Sequence, residues 1–402
     1  MPTVPWRSIL SKVGIVLAVL VAMLVSLVFQ KSSVPESGIL ISEQSMQQAV
    51  RQLEPMENSF VMSQADVETF QKEGVVLLRG LLTPAQAATV RSAIVNEIPK
   101  TQSFWTLFDF LPKVTFDKVQ FDVWRNHLLM AYLALQALPS LAAQLMNLTP
   151  ITNSDVTTLS QTLSSSQTLR LLRDAVFQYN PQAQQTGCGW HVDDEGFWPA
   201  KNDTSGVTFW IALDQMRVSE GGGLALAKGS HKENDMIAKC REVIRGGKTC
   251  AMEQTSPECF AYMESLKVEY DMEPGDAIVW DRWVFHRSVP TRIIQHEQEH
   301  EHDTNTYEEA KMRYSVRYMP GHARAAGLVH SSVPQGSLFT ESPYYPQVYP
   351  HLVASEMQEL QARNGGLDSD ITLVNIFQTM GVRFLGVLIK RLRVLGTKQD
   401  GY

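Results

Sequence analysis

EPGDAIVWDRWVFH, residues 273–286, reads as a turn followed by a buried strand. Pro274-Gly275 punctuates the chain, the apolar run Ala277–Trp280 has strand length, and the segment delivers a histidine, His286, just beyond it. Similar short β-type runs flank it between Gly and Pro turns: Leu171–Tyr179, Val207–Leu213, Gly223–Ala227, Val268–Met272 and Tyr314–Met319. Several short strands with turn signals between them predict a barrel or sandwich. The preceding half reads as helices. Ser63 caps SQADVETFQK (63–72), with Asp66 three residues on, and Val75–Leu78 follows as a short strand. Thr83-Pro84-Ala85-Gln86 is a second cap, with proline at the first helical position, starting a helix to about Ile98. Leucine- and alanine-rich His127–Asn147 is a third helix, and residues 153–168, rich in Ser and Thr, form a loop. Helices first and strands after make an α+β arrangement around a β core.

The chain has 402 residues, 44% of them hydrophobic and 19% charged, which suffices for a proper core and excludes a disordered polyelectrolyte. The net charge is −7 and no basic stripe interleaved with aromatics stands out, so no nucleic-acid partner is expected. Cys188, Cys240, Cys250 and Cys259 lack C-x-x-C spacing, which argues against a zinc ribbon. Three of them fall in an apparent inserted loop, Glu233–Leu266, where a local disulfide is one reading and reduced thiols the other. Val13–Phe29 is a run of seventeen uncharged residues preceded by Arg7 and Lys12. As a helix it spans about 25 Å, close to a bilayer core. It ends Leu-Val-Phe-Gln-Lys rather than in small residues, which favours an uncleaved signal anchor over a cleaved signal peptide. Positive charge before the run predicts a single-pass protein with a cytosolic N-terminus and a lumenal or extracellular main domain. The alternative is a secreted or organellar protein after cleavage. Sequons at Asn147 and Asn202 are compatible with that side. The expected organisation is an anchor (1–30), a linker (31–58), a main domain (59–365) and a basic amphipathic C-terminal helix (366–402). That last helix packs on its own domain or lies on a membrane.

Two segments carry metal chemistry. Gly189-Trp190-His191-Val192-Asp193 holds an H-x-D pair, and residues two apart on a strand reach the same side. Alone, this could be a surface His–Asp hydrogen bond. His286 lies 95 residues on, after a hydrophobic strand. Two histidines and a carboxylate make the facial triad that holds non-haem iron(II) and leaves positions open. In Arg313-Tyr314-Ser315-Val316-Arg317, both arginines share one face of a strand, and either guanidinium could grip a carboxylate bidentately or serve a structural ion pair.

These segments, in this order, resemble the phytanoyl-CoA dioxygenase family across roughly residues 60–321. The resemblance rests on EGVVLLRG (73–80), His191-Val192-Asp193, TFWIALD (208–214), EGGGL (220–224), KGSHK (228–232), Pro274-Gly275-Asp276, His286-Arg287-Ser288 and the Arg313 strand. It implies a double-stranded β-helix, jelly-roll or cupin-like, with flanking helices; the apolar run 13–29 would set one N-terminal transmembrane helix ahead of it. It also implies an Fe(II)- and 2-oxoglutarate-dependent dioxygenase that hydroxylates a small-molecule or lipid-like substrate with O2, releasing succinate and CO2. Ascorbate is a candidate third cofactor. By position, His191, Asp193 and His286 hold iron, and Arg313 grips the far carboxylate of 2-oxoglutarate, with Arg317 as the alternative. Ser288 assists, and Trp210 and Gln178 line the co-substrate pocket. The chain departs from the family pattern at Val192, at His286-Arg-Ser-Val-Pro-Thr, and in the 27-residue gap from His286 to Arg313, which the His-rich stretch 296–309 fills.

Two rivals remain at this level. One is a catalytically inactive, membrane-tethered metal-binding barrel. The other is a cupin-like metal enzyme that does without 2-oxoglutarate and for which Arg313 is dispensable. His231 reads as a structural loop residue or one near the pocket mouth, His296, His300 and His302 as solvated or as a surface metal site, and Trp190, Phe197 and Trp198 as core or as shaping the substrate pocket. Asp194 falls on the face away from the triad.

Overall fold

The computed structural model describes residues 51, 60–97, 118–121, 123–125, 127–148, 167–179, 188–193, 198–201, 204–244, 250–290, 311–326, 335–339 and 345–350. The expected anchor, His-rich stretch and C-terminal helix, together with Asp194 and Phe197, lie outside them, as do the linker except residue 51 and the Ser/Thr loop except residues 167–168.

The helical half forms largely where its caps predict. α1 (Gln64–Glu73) starts at Ser63, which accepts from the Asp66 amide while the Asp66 carboxylate accepts from the Ser63 amide. β1 is Val75–Leu78, and α2 (Pro84–Asn96) starts at Thr83 with the same reciprocal arrangement to Gln86. Such caps contribute about 1 kcal/mol each, whereas truncating a buried tryptophan or phenylalanine costs about 3–5 kcal/mol, so the core sets the stability. The expected single helix over His127–Asn147 is instead three pieces. They are α3 (Leu128–Tyr132), a π-helical turn (Leu133–Ala137) and α4 (Pro139–Leu145). Pro139 has no amide to continue the ladder, so the helix restarts there. Leu128–Leu145 is apolar and long enough to cross a membrane, but most of it is buried in the fold as a core element.

The strands form two antiparallel sheets. In the larger, seven strands run β1-β7-β4-β9-β3-β10 with β2 on the far side of β3: β2 Lys118–Phe121, β3 Leu169–Tyr179, β4 Val207–Ala212, β7 Ala277–Asp281, β9 Lys311–Pro320 and β10 Gln347–Tyr349. The smaller is β6-β5-β8, with β5 Leu224–Ala227, β6 Lys267–Glu269 and β8 His286–Ser288. This curled sheet with a smaller one makes a jelly-roll-like core. The expected strand Val268–Met272 is shorter, ending at Glu269, and Met272 instead makes an isolated bridge with Met216. The β9 strand is longer than its apolar core, because Lys311–Arg313 pair with β3. Gly275 makes the turn into β7 possible: its φ is +97° and a Cβ there would sit 2.0 Å from the Leu82 carbonyl oxygen.

Strand alternation gives the large sheet two unlike faces. Phe209, Ile211, Val279, Tyr314, Val316 and Tyr318 pack with the helices in one core. Tyr314 donates to Asp174 at 2.8 Å there, and Asp174 also accepts from the Trp124 amide at 2.9 Å. Trp210, Ala212, Ile278 and Trp280 face the other way, into the hollow between the sheets, and share a second cluster with Leu226 of β5.

Glu233–Leu266, expected as a loop, is largely helical among its described residues: α5 (Asp235–Val243), α6 (Met252–Thr255) and α7 (Pro257–Ser265). A local disulfide joins Cys240 to Cys259, and a long-range one, Cys188–Cys250, ties the segment to the stretch just before His191. With Trp190 and Phe285, Ile237, Cys240, Met252, Cys259 and Met263 form a third core behind the small sheet.

Candidate metal centre

The start of β8 and the segment 188–193 build this site. β7 ends at Asp281, whose carboxylate accepts from the Trp283 amide at 2.8 Å. The tight turn returns the chain as β8, which starts at His286. His191 pairs antiparallel with His286 through two backbone hydrogen bonds, of 3.0 and 2.8 Å. The two imidazoles lie side by side with ring centroids 4.3 Å apart. Asp193, two residues after His191, reaches the same point: one ligand atom each from His191, Asp193 and His286 lies within 4.8 Å of the others.

Three contacts orient these side chains. His191 Nδ1 lies 2.7 Å from the Gly189 carbonyl and His286 Nδ1 lies 3.1 Å from the Val284 carbonyl. A carbonyl only accepts, so both Nδ1 atoms carry the proton and both Nε2 lone pairs are left for a metal. His286 Nε2 is 3.7 Å from Asp193 Oδ1, while Oδ2 of the same carboxylate accepts from Arg317 Nε at 3.0 Å. The electrostatics suit a cation. Burial, with His286 beside it, lowers His191 to about 4, so it is neutral at physiological pH. Burial alone would raise the Asp193 carboxyl, but Arg317 and the two histidines outweigh it and hold it well below the usual carboxylate range. His191 and Asp193 thus already stand in the protonation states that iron(II) requires of its ligands.

The other expected residues divide. Arg313, Ser315 and Arg317 share the hollow-facing side of β9, and register sets them beside Ala212, Trp210 and Thr208 of β4. Arg317 is the arginine at Asp193, whereas Arg313 lies over the Trp210 ring at 5.1 Å and donates to the Gly222 carbonyl. Ser288 is on β8, two residues from His286 and so on its side of the strand, with its amide bonded to the Cys188 carbonyl at 3.1 Å. Gln178 is not brought to the others. Register places it opposite Met312, on the helix-packed face, and puts Phe177 opposite Arg313 instead. Motif matching did not single out Thr208, Ser315 and Trp280. Thr208 Oγ1, Ser315 Oγ and Trp280 Nε1 are buried in the hollow with no hydrogen-bond partner among the described residues, and Trp280 lies 5.3 Å from His286 ring to ring. Strand parity with Arg317 and Trp210 is the sequence signal that could have found them. Buried hydroxyls and an indole N–H beside two arginines fit an acceptor-rich dianion such as 2-oxoglutarate.

Comparison with known proteins adds the following. No curated protein matches the chain. Among solved structures, the fold is similar to the non-heme alpha ketoglutarate dependent carbocyclase SnoK from nogalamycin biosynthesis (17% identity, 71% of this chain and 96% of that one, TM-score 0.48). It is similar also to EvdO2 from Micromonospora carbonacea var. aurantiaca complexed with 2-oxoglutarate (16%, 65% and 92%, TM-score 0.40). A third is EctD from S. alaskensis with bound Fe (15%, 66% and 79%, TM-score 0.41). Residues 70–292, more than half of the chain and spanning the whole triad, match the phytanoyl-CoA dioxygenase (PhyH) family. The chain belongs to the phytanoyl-CoA dioxygenase family and is a dioxygenase that works with iron(II) and 2-oxoglutarate.

Proposed function

We propose that His191, Asp193 and His286 hold the iron, and that the enzyme hydroxylates a small-molecule or lipid-like substrate while converting 2-oxoglutarate to succinate and CO2. The observation that carries this reading is the convergence of three pre-oriented ligand atoms within 4.8 Å, on the side of the sheet that also bears two buried arginines and buried hydroxyls without a partner among the described residues. The bound iron supplies dioxygen activation. The chain's own residues do the rest. Both histidines present Nε2 because Gly189 and Val284 hold their Nδ1 protons. Arg317 keeps Asp193 ionised and turns its Oδ1 toward His286. Arg313, stacked on Trp210, offers the far carboxylate of 2-oxoglutarate a bidentate partner, with Ser288 beside the distal histidine. The apolar side chains of Trp210, Ile278 and Trp280 exclude water from the hollow.

We place the catalytic part on the lumenal or extracellular side of a membrane. The support is chemical: all four cysteines of the chain are paired in two disulfides, which persist in oxidising compartments. The apolar run 13–29 would supply a single-pass anchor.

The test is turnover of 2-oxoglutarate by the full chain with iron(II) in air. Succinate should form slowly without added substrate, and Asp193→Ala should abolish it. Succinate formation unchanged in Asp193→Ala would remove the triad from the reaction.

A further inference from the structure

We propose that Glu264 is a positioning residue of the iron centre, acting from behind the two-strand bridge that carries both histidines. The inference rests on the reading of His191 and His286 as iron ligands. In that bridge His191 pairs with His286, so antiparallel register places Trp190 across from Arg287, on the opposite face from the histidines. The Arg287 guanidinium lies 5.3 Å from the Trp190 ring, as that pairing requires. Glu264, at the end of α7, meets both: its Oε1 accepts from Trp190 Nε1 at 2.9 Å and from Arg287 Nε at 3.0 Å. One carboxylate oxygen therefore joins the residue before one histidine to the residue after the other.

A surface ion pair would explain the Arg287 contact alone, and such pairs contribute little. It does not explain Trp190. That side chain is fully buried, and its indole N–H needs an acceptor, which Glu264 supplies. Burial works to raise the Glu264 carboxyl, but Arg287 and the Trp190 N–H outweigh it and hold it below its usual range, so the acceptor stays ionised. The segment that bears Glu264 is itself pinned. Cys259, on the same helix, is bonded to Cys240 of α5, and Cys250 is bonded to Cys188, two residues before Trp190. The backbones approach closely at that point: a Cβ on Gly189 would lie 2.7 Å from the Cys250 carbonyl oxygen. The inserted helices thus form a brace, cross-linked within itself by Cys240–Cys259 and tied by Cys250–Cys188 to the stretch before Trp190, with Glu264 as its polar contact. Metal sites tolerate displacements of only about 0.2 Å, so shear between the two strands would be felt as iron affinity.

The experiment is anaerobic titration of the full chain with iron(II) against a chromophoric chelator, followed by 2-oxoglutarate and the visible band of the chelate. Glu264→Ala should weaken iron binding about 10–100-fold and move the band. Glu264→Gln should fall between, because its amide oxygen still accepts from Trp190 but brings no charge to Arg287. Glu258→Gln breaks the pair with Lys239 on the same inserted helices and should bind iron as the wild type does. Thermal unfolding of each sample separates loss of fold from loss of the centre, and Glu264→Gln decides if the alanine variant does not fold. Wild-type affinity and band position in a folded Glu264 variant would overturn the brace alone. A wild-type protein that binds no iron(II) would overturn the ligand reading and the brace with it.

Discussion

Exchanging Arg317 and Arg313 separately for methionine should split the site into two functions. Arg317 Nε and Asp193 Oδ2 are 3.0 Å apart, and the two residues are 3% and 7% exposed. Removing one partner of so buried a pair costs about 3–5 kcal/mol, because the remaining carboxylate stays desolvated. In a domain this size each kcal/mol moves Tm by roughly 2–4 °C, so metal-free Arg317→Met should melt on the order of 10 °C lower. It should also lose about 10–100-fold in iron(II) affinity, since nothing then aims Asp193 Oδ1 at the metal. Arg313 lies instead on Trp210 and donates to the Gly222 carbonyl. Arg313→Met should therefore keep near-wild-type iron affinity and lose 2-oxoglutarate affinity. Losing charge-assisted hydrogen bonds of about 1.5–3 kcal/mol predicts a Kd raised roughly 10–100-fold. Iron affinity is read by chelator competition and 2-oxoglutarate affinity by titrating the chelate band. The reverse pattern, with iron lost in Arg313→Met and only 2-oxoglutarate weakened in Arg317→Met, would refute the assignment.

Three further outcomes follow from the geometry. Burial raises Asp281 to about 6, so the folded state bears a desolvation penalty above that pH that disappears as pH falls from about 6 toward 4. Asp281→Asn keeps an acceptor for the Trp283 amide and should raise stability by roughly 1–2 kcal/mol at pH 8 but not at pH 4, measured by urea unfolding; the value is trimmed because the side chain keeps some solvent contact. Tyr314→Phe should lower stability by about 1–3 kcal/mol, by leaving buried Asp174 short of a donor, while iron and 2-oxoglutarate affinities hold. Alkylation followed by mass spectrometry should find all four cysteines blocked until reduction, and Cys188→Ser should cost roughly 2–4 kcal/mol; free thiols in the native protein would contradict the pairing.

Much of the site was legible in the sequence because its signals are local. H-x-D needs only the two-residue repeat of an extended chain, and the Pro-Gly turn before Ala277–Trp280 marks a strand that must end near His286. Period two also put Arg313 and Arg317 on one side of β9. Which of them meets Asp193 depends on where the 188–193 segment lies against that strand, and no local pattern records it. Gln178 shows the hazard of period two: one position along β3 moves a side chain from the hollow to the helix core, so Phe177 stands opposite Arg313 in its place. The pairing of Cys188 with Cys250, 62 residues away, and the contact of Glu264 with Trp190 arise from tertiary approach of an insertion that reads in the sequence as a loop. β8 escaped notice because three residues are too few to show a period.

The central claim, that His191, Asp193 and His286 form an iron centre that takes 2-oxoglutarate, is tested most directly by anaerobic absorption spectroscopy. Iron(II) and 2-oxoglutarate added together to the wild-type chain should produce a weak visible charge-transfer band, and His286→Ala, folded by its melting curve, should show none. A wild-type protein that binds iron(II) yet shows no band on adding 2-oxoglutarate, or a His286→Ala variant with the full band, would contradict the account.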